Sequence, residues 1–478
     1  MIHPPLWTVE AMAAAMGCAR TSSLPESVCG ISIDSRTIAP GEAFFAIKGD
    51  SRDGHDFVPA AIKAGAALAV VEDRQRSRFG EEIAVLLVAD VLGALRDLAR
   101  AARGRSKAKI VAVTGSVGKT GTKEALRLAL AKQGETHASA ASYNNHFGVP
   151  LSLARCPETA RFAIFELGMN HAGEIEPLAR LVRPHVAIIT AIEPVHLEFF
   201  PSVDAIADAK SEIFLGLERG GTAVLNRDSG QFARVANNAR AAGVEHLFSF
   251  GQSAGADAQL LACALDGEGS NVRARILGTE LAYRLGAPGR HLVMNSLAVL
   301  TAIEVLGEDV RAAAAALDEL RPASGRGARV SIDGPGGTFL LIDESYNANP
   351  ASMRAALAVL GQASRAARRI AVLGDMLELG PAASSLHRDV AETITSADID
   401  LVFCCGPLMR GLWDALPASR RGSYSPTSTE LAEHVLAAIE PGDIVMVKGS
   451  LGSRMGAVVK ALESRRAPRA SLSSELRA

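Results

Sequence analysis

Short unbroken apolar runs recur along the chain, and between them apolar residues return every three or four positions. The runs at 31–33, 43–47, 67–71, 110–113, 162–165, 186–192, 339–342, 370–373, 401–404 and 444–447 predict buried strands. The stretches at 58–65, 92–103, 119–134, 204–217 and 290–306 predict helices. Strand and helix alternate, which predicts an α/β protein whose parallel sheets are covered by helices. Residues 1–106 read as a small α/β unit, with the charged stretch 103–109 as a linker to the next. Residues 107–320 and 321–465 read as two larger units, and Asn349-Pro350 as a helix start with Pro at the first helical position. Residues 466–478 have no apolar face and are expected to be disordered.

The sharpest change of rhythm is at 110–124, IVAVTGSVGKTGTKE. An apolar strand runs into a glycine-rich turn, and a helical pattern starts at Lys119. Strand, glycine loop and helix together hold a phosphate chain, because glycines let the backbone approach the anion and helix-start N–H groups point at it. Thr114, Gly115, Ser116, Val117, Gly118, Lys119, Thr120 and Gly121 are the candidate nucleotide contacts. A lysine in such a loop supplies charge to the β- and γ-phosphates, and the following hydroxyl can hold Mg²⁺. The loop is T-G-x-x-G-K-T, a variant of the usual pattern: Val113 stands where its first glycine would be.

Two further strand ends carry polar residues. The run 161–165 leads straight into Glu166, and Glu193 and His196 follow the run 186–192. Ligands of open α/β sheets sit beyond the carboxyl ends of strands, so Glu166 and His196 are candidates to face a phosphate and a metal. The helix 204–217 has an apolar stripe of Ile206, Ala209, Ile213, Phe214 and Leu217, and Lys210 lies on that stripe. It is either a snorkelling or ion-paired lysine or one whose head enters an active site.

Apolar residues are 48% and charged residues 21% of 478, so a sizeable core is possible. A formal net charge of -2 gives no footprint for nucleic acid or an anionic membrane. Six scattered cysteines with no C-x-x-C pair predict neither a zinc knuckle nor a disulfide framework. Residues 11–19 read as a helix and not as a signal peptide, and no run reaches membrane-spanning length. A soluble, cytoplasmic protein is expected, with no nucleic-acid partner and no membrane insertion.

These motifs together resemble the Mur ligase family, ATP-dependent amide-bond synthetases of bacterial cell-wall assembly. The likeness rests on TGSVGKT at 114–120, FELGMNHAGEI at 165–175, and HLEFF at 196–200 followed by Lys210-Ser211-Glu212. It also rests on DSRTIAPGEAFFAIKGDSRDGHDF at 34–57, NNHFGVP at 144–150 and DESYNANPASM at 343–353. The resemblance implies a small N-terminal α/β domain for a UDP-sugar peptide, a central phosphate-loop ATPase domain and a C-terminal Rossmann-like domain. It implies UDP-N-acetylmuramoyl-tripeptide and D-alanyl-D-alanine as partners, ATP and Mg²⁺ as cofactors, and a monomer. By the family's pattern, Lys119, His196 and Lys210 would be catalytic, and Thr120, Glu166, His196 and Lys210 would surround the metals. Lys210 would be carbamylated by CO₂, which turns a cation into an oxygen ligand. Asn295, Arg326, Asp343, Tyr346 and Asn347 would contact the nucleotide, and Ser35, Arg36, Asn145 and His146 the peptide substrate. Two rival readings are another amide ligase of the superfamily and a nucleotide-switch NTPase.

Overall fold

The computed structural model describes the chain except residues 1–3, 21–23, 50, 141, 196, 267, 335–336, 364–367 and 466–478. The expected disordered tail and His196 therefore lie outside the described residues.

The first unit carries a five-stranded sheet in the order Ala19–Arg20, Val85–Val88, Leu68–Glu72, Glu42–Phe45, Gly30–Ser32. Its strands are parallel except at the Ala19–Arg20 edge. Helix Val91–Arg105 follows, its first N–H groups capped by the Asp90 carboxylate. The stretch 103–109 is not a free linker. The helix runs through Arg105, and Arg103 is buried. Its guanidinium donates to the carbonyls of Val182 at 2.8 Å and Arg183 at 2.9 Å, and to Glu218 at 2.7 Å. A charge run reads as solvated, but the long arginine stem lets its head close the open carboxyl end of a neighbouring helix.

The second unit is built on a nine-stranded sheet. From one edge the order is Thr136–Ala138, Phe162–Glu166, Lys109–Thr114, Val186–Ile189, Thr222–Asn226, His246–Gly251, Ala258–Leu265, Ser270–Ile276, Thr279–Leu285. All neighbours are parallel up to Ala258–Leu265, and the last two pairings are antiparallel. A search for apolar runs misses these last strands, because Ser270–Ile276 buries alternate residues only. The chain leaves Lys109–Thr114, returns on one side through Phe162–Glu166, and then crosses to Val186–Ile189 on the other. That reversal opens a crevice at the carboxyl end of Lys109–Thr114.

One hydrophobic core runs from Trp7 and Leu95 of the first unit through Leu153 and Phe165 to Phe214 of the second. The Trp7 indole N–H donates to the Ala154 carbonyl at 2.9 Å across that junction. The third unit has separate core clusters on the two faces of its own sheet. Its strand order is Ala328–Gly334, Gly337–Glu344, Ile444–Lys448, Arg369–Gly374, Leu401–Cys405, Arg421–Ser425, parallel except at the first pairing. Asn349 caps helix Pro350–Gly361 as the sequence predicts, in a reciprocal arrangement with Ser352.

Candidate functional site

Lys109–Thr114 ends at a turn that only glycine tolerates at two points. Gly115 has φ +150° and Gly118 φ +87°. A Cβ on Gly115 would strike the Thr190 hydroxyl at 2.0 Å, and one on Gly118 the Asn295 amide at 2.5 Å. The loop is clamped to the neighbouring strand end. The Thr190 hydroxyl donates to the Val117 carbonyl at 2.6 Å, and Ser116 N–H to the Ala191 carbonyl at 2.8 Å. Ser116 Oγ donates to the Glu193 carbonyl at 3.1 Å and accepts the Glu193 N–H at 3.0 Å. Helix Lys119–Ala131 then starts with no side-chain cap, so its N–H groups face the open turn.

Lys119 folds back, and its ammonium donates to the Gly115 carbonyl at 2.7 Å. Burial holds its pKa below the ordinary lysine value; the nearby Glu166 charge opposes that and the Arg326 charge adds to it. Thr120 Oγ1 donates to Glu166 Oε2 at 2.8 Å, and Asn144 Nδ2 donates to Glu166 Oε1 at 2.8 Å. A hydroxyl and a carboxylate therefore converge under the turn, both hard oxygen donors suited to Mg²⁺.

Lys210 lies in helix Val203–Ser211 with Ile206, Ala209, Ile213 and Phe214 buried around it. It is 2% exposed, and no hydrogen bond or ion pair reaches its ammonium from the described residues. Burial, and after it the Lys119 charge, depress its pKa well below 10.5.

The third unit reaches the same crevice through Arg326. Its guanidinium donates to Ser142 Oγ at 2.9 Å and lies over the Tyr346 ring, 4.2 Å from the centroid. Asp343 organises this corner. It accepts Gly325 N–H at 2.7 Å and Ser324 Oγ at 3.1 Å on one oxygen, and the Ser345 hydroxyl at 2.6 Å on the other. Asn347 is exposed beside Tyr346, and its carbonyl accepts the Lys448 ammonium at 3.0 Å.

The structure thus brings Lys119, Thr120, Glu166, Lys210, Asn295 and Arg326 to one crevice. Ser35 and Arg36 stand apart on the first unit, where Arg36 forks onto Asp34 at 2.9 and 2.6 Å. The Asn145 side chain accepts Gly148 N–H at 2.9 Å at the start of helix Gly148–Ala154, and the His146 ring lies tilted against Phe147 with centroids 3.9 Å apart. Sequence reasoning passed over Asn144, Thr190 and Ser142. Asn144 begins the NNHFGVP motif, but only pairing with Glu166 marks it out from Asn145.

Residues 27–103 match the family model "Mur ligase family, catalytic domain", 113–303 "Mur ligase middle domain", and 325–451 "Mur ligase, glutamate ligase domain". The chain is 32% identical, over 95% of its length and 99% of the relative, to UDP-N-acetylmuramoyl-tripeptide--D-alanyl-D-alanine ligase of Rickettsia prowazekii. A solved structure of UDP-N-acetylmuramoylalanyl-D-glutamyl-2,6-diaminopimelate--D-alanyl-D-alanyl ligase from Acinetobacter baumannii superposes with TM-score 0.81 at 29% identity, covering 96% of this chain and 99% of that one. The MurF ligase of Thermotoga maritima, solved in complex with ADP, superposes with TM-score 0.75 at 24% identity, covering 91% and 97%. With three family models matched along its length and a relative 32% identical end to end, the chain belongs to the Mur ligase family.

Proposed function

We propose that this protein is the ATP-dependent ligase that joins D-alanyl-D-alanine to UDP-N-acetylmuramoyl-tripeptide, giving the pentapeptide, ADP and phosphate. The reading is carried by one observation: Lys119, the Thr120–Glu166 pair and Lys210, whose ammonium has no partner among the described residues, converge where the sheet reverses, and Arg326 faces them from the third unit. The name of the Rickettsia relative, matched end to end, supports the substrate assignment.

In this reaction a carboxylate oxygen of the tripeptide attacks the γ-phosphorus of ATP. The bond to the ADP oxygen breaks, and an acyl phosphate forms. The dipeptide amine adds to that carbonyl, phosphate departs with the bonding pair, and the nitrogen loses a proton. Thr114 to Gly121 would wrap the phosphates, with Lys119 turning from the Gly115 carbonyl to the transferred group. Arg326 would bring a second cation. Asn295, pressed against Gly118, would fix the turn, and Asp343, Tyr346 and Asn347 would line the far side of the nucleotide. Ser35 and Arg36 would meet the UDP end, and Asn145 and His146 the peptide.

Thr120 and Glu166 suit Mg²⁺, and His196 belongs to the same proposed set. Bound there, Mg²⁺ would offset negative charge on the phosphates. An ammonium at Lys210 would repel such an ion. Its depressed pKa favours the neutral amine, which adds to CO₂ and releases a proton to give a carbamate, an oxygen donor. Acyl phosphates hydrolyse, so the crevice must exclude water; the Arg326–Ser142 contact between the second and third units supports closure as the means.

No described helix is long and apolar enough to cross a membrane, and all six cysteines are free, which supports a cytoplasmic setting. The test is phosphate release from ATP with each substrate omitted in turn. The proposal expects release only with the UDP-sugar tripeptide and D-alanyl-D-alanine both present. Release with either alone, or without both, overturns it.

A further inference from the structure

A groove of about 920 Å³ runs beside the site, between helices Val91–Arg105 and Ile175–Val182. One end is lined by Asn144, which holds Glu166, and by Gly168 just beyond that carboxylate. The walls further out carry Arg96, Arg100, Arg103, Arg180 and Arg183, against a single lining acid, Glu174. Four of these cations are already matched. Arg103 and Arg183 share Glu218, Arg180 pairs with Glu176 at 2.7 Å, and Arg100 pairs with Asp97. Arg96 is half-buried, and no hydrogen bond or ion pair reaches it from the described residues. Glu174 is itself engaged by the Asn170 N–H at 2.8 Å and by His171. The groove therefore keeps an unmatched guanidinium with room for an anion beside it.

We propose that this groove is a carboxylate subsite for the acceptor peptide, with Arg96 as its reading residue; the inference rests on the ligase reading above. The peptide of that reading carries carboxylates that the reaction does not consume. The printed name of the Acinetobacter relative includes a glutamyl and a diaminopimelate residue, each with such a group. An extended peptide advances about 3.3–3.6 Å per residue. A helix of the length of Ile175–Val182 spans about 12 Å. A groove of that length, starting at Asn144 and Gly168 beside Glu166, has room for a non-reacting carboxylate one residue, or one side chain, back from the reacting end. A guanidinium recognises a carboxylate through two parallel N–H donors, and a lysine side chain in the same place would meet like charge.

The experiment measures KM and kcat by phosphate release for the wild type, Arg96→Gln and Arg96→Glu. The acceptors are the UDP-sugar tripeptide with diaminopimelate third, its analogue with lysine third, and both again with the glutamate carboxylate converted to an amide. In the wild type, losing the carboxylate that Arg96 reads raises KM about tenfold or more, in line with a charge-assisted hydrogen bond. In Arg96→Gln, KM for the full peptide rises by a similar factor, the penalty for that lost carboxylate disappears, and kcat and KM for ATP stay within about twofold. Arg96→Glu raises KM further. The acceptor pair whose penalty disappears shows whether the glutamate or the distal carboxylate is read. Equal penalties in the wild type and Arg96→Gln, or an unchanged KM for the full peptide in both variants, overturn the groove assignment alone. A wild type that turns over no acceptor overturns the ligase reading and this inference with it.

Discussion

Lys210 of the second unit and Lys448 of the third are buried to nearly the same degree, 2% and 1% exposed, and both stand near the crevice end of their units. Their surroundings differ completely. Lys448 closes a parallel strand, and its ammonium donates to Glu344 at 3.2 Å and to the Asn347 carbonyl at 3.0 Å. Lys210 rides an apolar helix stripe and receives nothing from the described residues. A buried cation with partners ties loops together. A buried cation without them costs stability unless it sheds its proton or gains a ligand. Around Lys448 the neighbouring strand ends are likewise used internally. Asp375 accepts Met409 N–H at 2.8 Å, and Ser450 Oγ bridges Leu377 N–H and the Ala348 carbonyl. Around Lys210, among the described residues, the Lys119 ammonium donates only to a loop carbonyl, and the Glu166 carboxylate accepts only from a hydroxyl and an amide.

The comparison is broken most severely at Lys210 itself. Lys210→Met is expected to lower turnover by about 10³-fold, the scale of a lost electrostatic group at a reacting centre, while leaving the melting midpoint unchanged or raised. A variant with near-normal turnover would make Lys210 a structural lysine like Lys448. The titration adds a signature. In CO₂-free buffer the folded wild type binds fewer protons at Lys210 than the unfolded chain does. Its stability relative to Lys210→Met should therefore rise with pH from the depressed pKa up to 10.5 and level off above it. Glu166→Gln comes next: the Mg²⁺ concentration giving half-maximal turnover should rise about tenfold or more, the scale for altered metal surroundings. An unchanged Mg²⁺ titration removes Glu166 from the site. Lys448→Met should do the reverse of Lys210→Met, lowering unfolding free energy by about 1–3 kcal/mol in denaturant titration with turnover little changed. The smallest effect belongs to Asp34. The Arg36 guanidinium holds its carboxyl at about 2, below the ordinary 3.8, so its contribution is complete above 3.8 and is lost as pH falls through 2. The pair is exposed, so Asp34→Asn should cost under about 1 kcal/mol near neutral pH. An equal loss at pH 2 and pH 7 would show that the ion pair is not its source.

Much of this site could be read along the chain, because its parts are local. A strand, a glycine turn and a helix start occupy consecutive residues, so the turn of Thr114 to Gly121 stands out before any folding. Glu166 stands out as an acid directly after an apolar run, and Lys210 as a charge on an apolar stripe. Both are departures from a period, visible wherever the period is strong. Asn144 could not be separated from Asn145 in this way, because the two are adjacent and identical; only pairing across 22 residues with Glu166 distinguishes them. The linker at 103–109 misled for a related reason: solvated and buried arginines look the same in sequence until the partner carbonyls, about 80 residues away, are in place.

By itself the sequence determined the α/β class, the parallel strands, the glycine turn and the apolar stripe on which Lys210 sits, because each follows from the spacing of apolar residues or from glycine's freedom over a few positions; that Lys210 is buried came only with the structure. The tertiary structure decided which polar residues meet. It set Glu166 against Thr120 and Asn144, laid Arg326 over Tyr346 beside Ser142, joined the first two units through one core, and left Arg96 in its groove with no partner among the described residues. Hydrogen bonds and ion pairs act over about 3–4 Å in space, whereas these partners lie tens to hundreds of residues apart along the chain.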